Sequence, residues 1–190
     1  MTLAEVFRRV RNALDQAGVI YAIGGSWAST IHGEPRQTNN MDFVTNLGAE
    51  RLGPLFDALG SGFYFDAESA RAALENGRPF NVIHQKLGYK FDFFQVIDSQ
   101  VIDSHGAAEL ARRLAVALPA LDTELVPVIS AEDMILAKLR WYRAGGEVSE
   151  RQWRDIAGMF AASGEHLDRE YLERWAQTLG LTGLYQRAAR

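Results

Sequence analysis

The chain has 190 residues, of which 47% are hydrophobic and 23% are charged, and its formal net charge is −4. This composition is typical of a globular protein and excludes disordered and fibrous chains. Because there is no cysteine, disulfide bonds, thiolate metal sites and cysteine nucleophiles are excluded as well.

The sequence also limits location and partners. No apolar run approaches the roughly 18 residues that would span a bilayer. Arg8 and Arg9 interrupt the N-terminal segment where a secretory signal would be apolar, so we expect a cytoplasmic protein with no membrane partner. The negative net charge is unlike that of a protein that coats nucleic acid, although it is compatible with a local basic pocket.

Hydrophobic spacing predicts alternating helices and strands along the first part of the chain. Thr2 and Glu5 match a capping box, which begins a helix that Gly18 ends. The apolar, β-prone run at 19–23 predicts a buried strand that leads into a glycine turn. Next come a helix at 26–31, a strand at 41–45, a helix at 49–59, a strand at 63–65, a helix at 67–75 and strands at 80–84 and 89–96.

Beyond residue 104 the pattern is helical, with one β-prone run at 124–129. Ser130 begins a helix that extends through Arg143, and the sequence then predicts helices at 149–162, at 168–178 and at the C-terminus. We therefore predict an α/β core over residues 1–129 and a C-terminal helical region over residues 130–190 that packs on it.

Gly24, Gly25 and Ser26 lie between a predicted strand and a predicted helix. Glycines allow a tight turn with exposed backbone amides, and the N-terminal end of a helix adds free N–H groups and a positive dipole. These features suit a phosphate group. The same residues are also compatible with an ordinary strand-to-helix turn.

Two aspartates lie inside predicted strands, where aspartate is depleted because burial of a carboxylate is costly. Asp42 follows Met41 in one strand, and Asp92 stands between Phe91 and Phe93 in another. Each needs a cation, a metal ion or several hydrogen-bond donors. If the two strands are neighbours, about 4.8 Å apart, the pair could bind Mg²⁺ jointly.

Lys138 lies within an apolar stripe of its predicted helix, because its neighbours three and four residues away are Met134, Ile135, Trp141 and Tyr142. A lysine in such a place either extends to solvent or meets an anion. The anion is a structural carboxylate or a phosphate, and both remain open.

Together these residues resemble the nucleotidyltransferase superfamily, in particular the bacterial branch of abortive-infection nucleotidyltransferase toxins and their small relatives. The motifs that carry the resemblance are Gly24-Gly25-Ser26, Arg36-x-Thr38-x-Asn40-Met41-Asp42, Asp92 and the pair Lys138-Leu139. The resemblance implies a minimal nucleotidyltransferase core, with a mixed β-sheet flanked by helices. It also implies transfer of a nucleoside monophosphate from a nucleoside triphosphate (NTP) to an unidentified hydroxyl, for instance on RNA.

The resemblance further implies residue roles. Asp42 and Asp92 are expected to hold Mg²⁺ or Mn²⁺, and Asp92 to accept the proton of the attacking hydroxyl. The residues expected to bind the nucleotide phosphates are Gly24, Gly25, Ser26, Arg36, Thr38 and Lys138. Arg36 could equally pair with Asp42. In a toxin–antitoxin system, an antitoxin protein would be the partner.

Asn40 departs from the family pattern, which carries its first aspartate at this position. An amide oxygen is a weaker ligand for Mg²⁺ than a carboxylate, but we expect it to point to the same spot as Asp42, two residues on. The protein is then a degenerate binder, a slow one-metal enzyme or a deliberately inactivated form. The competing functions are a non-catalytic module that binds a nucleotide or a protein partner, and a small-molecule transferase of the aminoglycoside-modifying type, for which 190 residues is short.

Overall fold

The computed structural model describes residues 1–96, 105–121 and 123–190. Its strands are β1 (Tyr21–Ile23), β2 (Asn40–Thr45), β3 (Phe63–Tyr64), β4 (Phe80–His84), β5 (Tyr89–Gln95), β6 (Leu114–Leu118) and β7 (Thr123–Val128). They form one mixed sheet in the order β3-β4-β5-β2-β1-β7-β6. β2 is parallel to β5 and β1 is parallel to β7, whereas the other neighbouring pairs are antiparallel.

Helices flank the sheet, some with a side-chain cap at the N-terminal end and others without one. They are α1 (Leu3–Gln16), α2 (Gly25–His32), α3 (Leu52–Leu59), α4 (Ala67–Glu75), α5 (His105–Ala111), α6 (Ala131–Ala144), α7 (Glu150–Ser163), α8 (Arg169–Thr178) and α9 (Thr182–Ala188). Thr2 and Glu5 form the predicted capping box of α1, and Ser130 caps α6 by accepting from the Asp133 amide. Across the described ranges, we find no helix with the length and apolar character that a membrane crossing needs.

Period-two alternation gives the sheet one strongly apolar face. Met41, Phe43, Phe91 and Phe93 are fully buried there, and Phe7 of α1 stacks on Phe43 with ring centroids 6.3 Å apart. On the opposite face α2 packs against β2, and α6 and α7 pack on α2. The polar positions of β2 and β5 therefore lie on the side of the sheet where α2 packs.

The fold is the predicted one, a mixed sheet flanked by helices, but one strand was missed. Residues 114–118 read as helical because leucine and alanine are good helix formers. In the structure they form β6, which pairs with β7, so strand pairing overrides the local propensity. The helix predicted at 49–59 is a 3₁₀ turn at Ala49–Arg51 followed by α3. The division of the chain at residue 129 stays a prediction.

Candidate functional site

Asp42 and Asp92 are directly paired across the sheet. β2 and β5 run parallel with Asp42 opposite Asp92, while Met41 and Phe43 on either side of Asp42 are buried in the core. Alternation therefore turns both carboxylates to the face that carries α2. The predicted placement of these acids on neighbouring strands is confirmed, and their catalytic and metal-binding roles stay predictions.

The side-chain amide of Asn40 lies between the two carboxylates. Its Nδ2 donates to Asp42 Oδ1 at 3.0 Å and to Asp92 Oδ2 at 2.9 Å, and its Oδ1 accepts from the Thr38 hydroxyl at 2.9 Å. The expectation that the Asn40 oxygen points with the Asp42 carboxylate is thus wrong. The amide hydrogens turn toward the negative charges, and the hydroxyl of Thr38 holds the opposite end.

The carboxylate pair carries more negative charge than its neighbours neutralise. The Lys90 ammonium lies 3.0 Å from Asp92 Oδ2, on a side chain that is 44% exposed. Burial, followed by the charge of Asp92, raises the pKa of Asp42, whereas the Ser26 amide and the ammonium groups of Lys90 and Lys138 act against this rise. An additional positive charge beside Asp42 would therefore be stabilising.

The turn formed by Gly24, Gly25 and Ser26, here called the glycine turn, is built around Asp42. Gly25 has a φ of +53°, and a Cβ atom at this position would overlap the Asp42 carboxylate. The Ser26 amide donates to Asp42 Oδ2 at 3.4 Å, and the Gly24 amide donates to the Asp42 carbonyl oxygen at 2.8 Å. As predicted, the turn adjoins the acids. Whether its remaining amides bind a phosphate stays a prediction.

A third carboxylate, that of Asp155 on α7, joins the two cations predicted at the phosphates. Lys138 Nζ lies 2.8 Å from Asp155 Oδ2, and Arg36 donates to Asp155 through Nε and Nη2, each at 3.2 Å. Arg36 Nη2 also donates to the Ser26 hydroxyl, which ties this group to the glycine turn. Burial raises the pKa of Asp155, but the hydrogen bonds from Lys138 and Arg36 outweigh it and hold that pKa below its ordinary value.

The structure shows which partners Lys138 and Arg36 have, which the sequence left open. Lys138 is only 7% exposed, so it does not extend to solvent, and its anion in the structure is a carboxylate. Burial lowers the pKa of Lys138, and the contact with Asp155 partly opposes this. Arg36 pairs with Asp155 and not with Asp42. Their binding of phosphate stays a prediction, as does that of Thr38.

Asp155 was not among the predicted site residues, although a signal for it exists. A lysine inside an apolar stripe requires a buried acid if it does not reach solvent. Asp155 is the only acid in the interior of the helix predicted at 149–162. Which helix would face Lys138 could not be read from the sequence, because the contact spans 17 residues and depends on how α6 and α7 pack.

The donor atoms of the site show whether it could hold the expected metal ions. The Asp42 and Asp92 oxygens both lie within hydrogen-bond distance of one nitrogen, so they are close enough to share a cation. However, the described residues contain no group of three histidine or acidic side chains that could hold a metal ion. The amide hydrogens of Asn40 also point at the space between the acids. The arrangement in this structure therefore does not fit the expected two-metal site.

No protein-family model matches the sequence, and no curated protein matches it either. Solved structures do match the fold. The solution structure of the antibiotic-resistance factor ANT(2'')-Ia aligns with 98% of this chain and 97% of its own, with a TM-score of 0.51 and 15% identity. The crystal structure of ANT(2'')-Ia in complex with adenylyl-2''-tobramycin aligns with 92% of this chain and 97% of its own, with a TM-score of 0.53 and 14% identity.

A third solved structure also matches the fold. An antigenic nucleotidyltransferase-like protein from Paracoccidioides brasiliensis aligns with 85% of this chain and 78% of its own, with a TM-score of 0.54 and 19% identity. Similarity at such low identity concerns the fold and not the substrate. The predicted toxin branch thus stays a prediction, and what the geometry and the comparisons establish together is that this chain has the nucleotidyltransferase fold.

Proposed function

We propose that this protein is a nucleotidyltransferase that moves a nucleoside monophosphate from an NTP to a hydroxyl group. The observation that carries the proposal is the Asp42–Asp92 pair beside the N-terminal end of α2, with Arg36 hydrogen-bonded to Ser26 of the same turn. Such a site combines acids that can act on a hydroxyl with amides and cations that can bind a phosphate chain. The nucleotidyltransferase fold supports this assignment.

The phosphate chain would bind on the cationic side of the site. Lys138 and Arg36 bring two positive charges to the single negative charge of Asp155, so this group of three side chains, taken apart from Asp42 and Asp92, has a surplus of one positive charge. A triphosphate needs this combination of charge and N–H donors. We assign Gly24, Gly25, Ser26, Arg36 and Lys138 to the phosphates.

The reaction would proceed by in-line displacement at the α-phosphorus. The acceptor oxygen forms a bond to this phosphorus, the bond to the oxygen that bridges the α- and β-phosphates breaks, and pyrophosphate leaves. The hydroxyl proton passes to Asp92. This residue suits the role because Lys90 and Asn40 both contact its Oδ2, while its Oδ1 accepts no hydrogen bond from the residues that the structure describes.

For the acceptor we propose a hydroxyl on RNA, within a toxin–antitoxin system whose antitoxin is the protein partner. A small-molecule acceptor competes with this proposal, because ANT(2'')-Ia was crystallised with adenylyl-2''-tobramycin. ANT(2'')-Ia aligns with this chain over 97% of its own length. The length of this chain therefore does not count against a small-molecule transferase, contrary to our expectation.

Two measurements test the proposed function. In the first, radiolabelled NTPs are incubated with the protein, Mg²⁺ or Mn²⁺ and either total RNA or tobramycin. Asp92→Asn should lower transfer by at least ~100-fold, the usual contribution of a general base. Equal transfer by both forms would contradict the role of Asp92, and label on tobramycin alone would replace RNA as the acceptor.

In the second measurement, calorimetry follows NTP binding. Lys138→Met should weaken binding roughly tenfold, because a charge-assisted hydrogen bond to phosphate is lost. The matched control is Lys86→Met, since Lys86 is an exposed lysine in the turn between β4 and β5. An equal effect of the two substitutions would mean that Lys138 does not bind the phosphates.

A second candidate function is supported by one specific observation. With Asn40 in place of an acid and its amide between Asp42 and Asp92, the site suits nucleotide binding without transfer. This alternative predicts NTP binding that depends on Lys138, together with no transfer to any acceptor.

A further inference from the structure

The amide of Asn40 occupies the position between two carboxylates that a shared cation would take. Both of its hydrogens are used, one on Asp42 Oδ1 at 3.0 Å and the other on Asp92 Oδ2 at 2.9 Å. The opposite end is held by the Thr38 hydroxyl at 2.9 Å. We call this arrangement the amide bridge. It is one reason why the acidic pair does not fit the expected metal ions.

A cation and the amide bridge exclude each other. A divalent ion bound to both acids would sit about 2.1 Å from each oxygen, in the space that the amide hydrogens fill. Those hydrogens carry partial positive charge and would repel it. For the ion to enter, the amide must leave both carboxylates, and two hydrogen bonds to charged acceptors are lost.

We propose that Asn40 is an internal substitute for a cation, which keeps the Asp42–Asp92 pair closed to divalent metal ions in the resting protein. The amide bridge partly compensates two adjacent carboxylates, one of them largely buried, and thereby holds the acidic pair together without a metal. Metal binding then competes with the bridge, so affinity for metal is set by Asn40 and not by the two acids alone. The inference concerns the proposed transfer site, but it does not require that transfer occurs.

One substitution, Asn40→Ala, separates this proposal from the alternative that Asn40 is a metal ligand, because the two predict opposite changes in the affinity for metal ions. If Asn40 were a metal ligand through its oxygen, Asn40→Ala would remove a ligand and weaken metal binding. If Asn40 is a substitute for the cation, Asn40→Ala removes the competitor and exposes two carboxylates, so metal binding becomes tighter. Asn39→Ala is the matched control, because Asn39 is the adjacent, exposed asparagine.

The experiment measures binding of Mn²⁺ alone, by electron paramagnetic resonance of the free ion and by calorimetry, with no nucleotide or acceptor present. We expect Asn40→Ala to bind Mn²⁺ roughly 10- to 100-fold more tightly than the wild type, the scale of lost hydrogen bonds to charged groups. Asn40→Asp should bind more tightly still, and Asn39→Ala should match the wild type.

Equal or weaker Mn²⁺ binding by Asn40→Ala would overturn the proposal. Failure of Asn40→Asp to bind Mn²⁺ would also overturn it, because the position would not accept a cation at all. Should Asn40→Ala fail to fold, Asn40→Ser takes its place, since a serine side chain is too short to reach both acids. Because no step requires NTP, a negative transfer assay leaves these outcomes interpretable.

Discussion

Asp42 lies directly opposite Asp92 across the parallel strands β2 and β5, and the charge of Asp92 adds to the burial that raises the pKa of Asp42. Compared with the unfolded chain, the folded protein therefore binds the proton of Asp42 more tightly. The stability that this gives is present at low pH and is lost as the pH rises through the folded-state pKa.

The neutral substitution Asp42→Asn should consequently stabilise the fold near neutral pH. We expect a gain of roughly 1 kcal/mol, or about 2–4 °C in melting temperature for a chain of this size, and the gain should disappear in acid. Thermal unfolding between acidic and neutral pH measures this. A loss of stability at neutral pH would mean that the hydrogen bonds to the Asp42 carboxylate outweigh its repulsion by Asp92.

Gly25 should tolerate no side chain, because it combines a positive φ with the Asp42 carboxylate at the place of its Cβ. Gly18 is the matched control: it has a φ of +64°, but nothing lies within 4 Å of a Cβ atom there. Gly18→Ala should cost ~1 kcal/mol from backbone strain alone. Gly25→Ala should cost a further ~1–3 kcal/mol from the steric overlap and should also weaken NTP binding.

Chemical denaturation of both variants tests this difference. Equal losses in the two variants would show that the Asp42 side chain moves aside without cost. In that case the glycine turn and the Asp42 carboxylate would not require each other.

Asp155 should be coupled energetically to Lys138. Asp155→Asn leaves two cations without a carboxylate and should cost roughly 2–3 kcal/mol, more than Lys138→Met, which leaves Asp155 paired with Arg36. In a double-mutant cycle we expect a coupling energy of ~1–3 kcal/mol. Lys86→Met, which removes an exposed lysine in the turn between β4 and β5, should cost little and serves as the control. If the losses of stability in the cycle are additive, Asp155 and Lys138 are not energetically coupled.

The buried Glu109 on α5 predicts a second pH dependence, away from the site. Burial first, and the nearby Asp133 second, raise the pKa of Glu109 from its ordinary value of 4.5 to about 8, while Arg140 acts in the opposite direction. The stability that this provides is complete below pH 4.5 and is lost as the pH rises toward 8.

Glu109→Gln should therefore be more stable than the wild type at pH values above 8, by an amount on the order of a few kcal/mol, with the difference shrinking as the pH falls. The exposed Glu165→Gln is the control and should leave the profile unchanged. Superimposable profiles for the wild type and Glu109→Gln would contradict the assignment.

The sequence indicated the location of the site better than its internal contacts. Burial of an acid inside an apolar strand is costly, so the sequence alone indicates a shared compensating group for Asp42 and Asp92. The glycine turn was recognisable because a strand, two glycines and a helix follow one another. These are local signals, and the structure agrees with their placement.

The remaining features depend on long-range packing or on hydrogen bonds that local patterns do not encode. The two ends of the Asn40 amide are nearly identical in shape, so its orientation follows from Thr38 and the two acids together. Similarly, residues 114–118 are extended only because β7 lies beside them. Asp155 meets Lys138 only once α6 and α7 are packed.

The central claim is that Asp42 and Asp92 belong to a nucleotidyl-transfer site whose activity Asn40 limits. The most direct test compares the wild type, Asn40→Asp and the double variant Asn40→Asp/Asp92→Asn in one transfer assay with labelled NTPs, Mn²⁺ and both acceptor types. We predict that Asn40→Asp raises transfer well above the wild type and that the added Asp92→Asn abolishes the gain. Equal transfer by the wild type and Asn40→Asp, or a double variant as active as Asn40→Asp, would contradict the account.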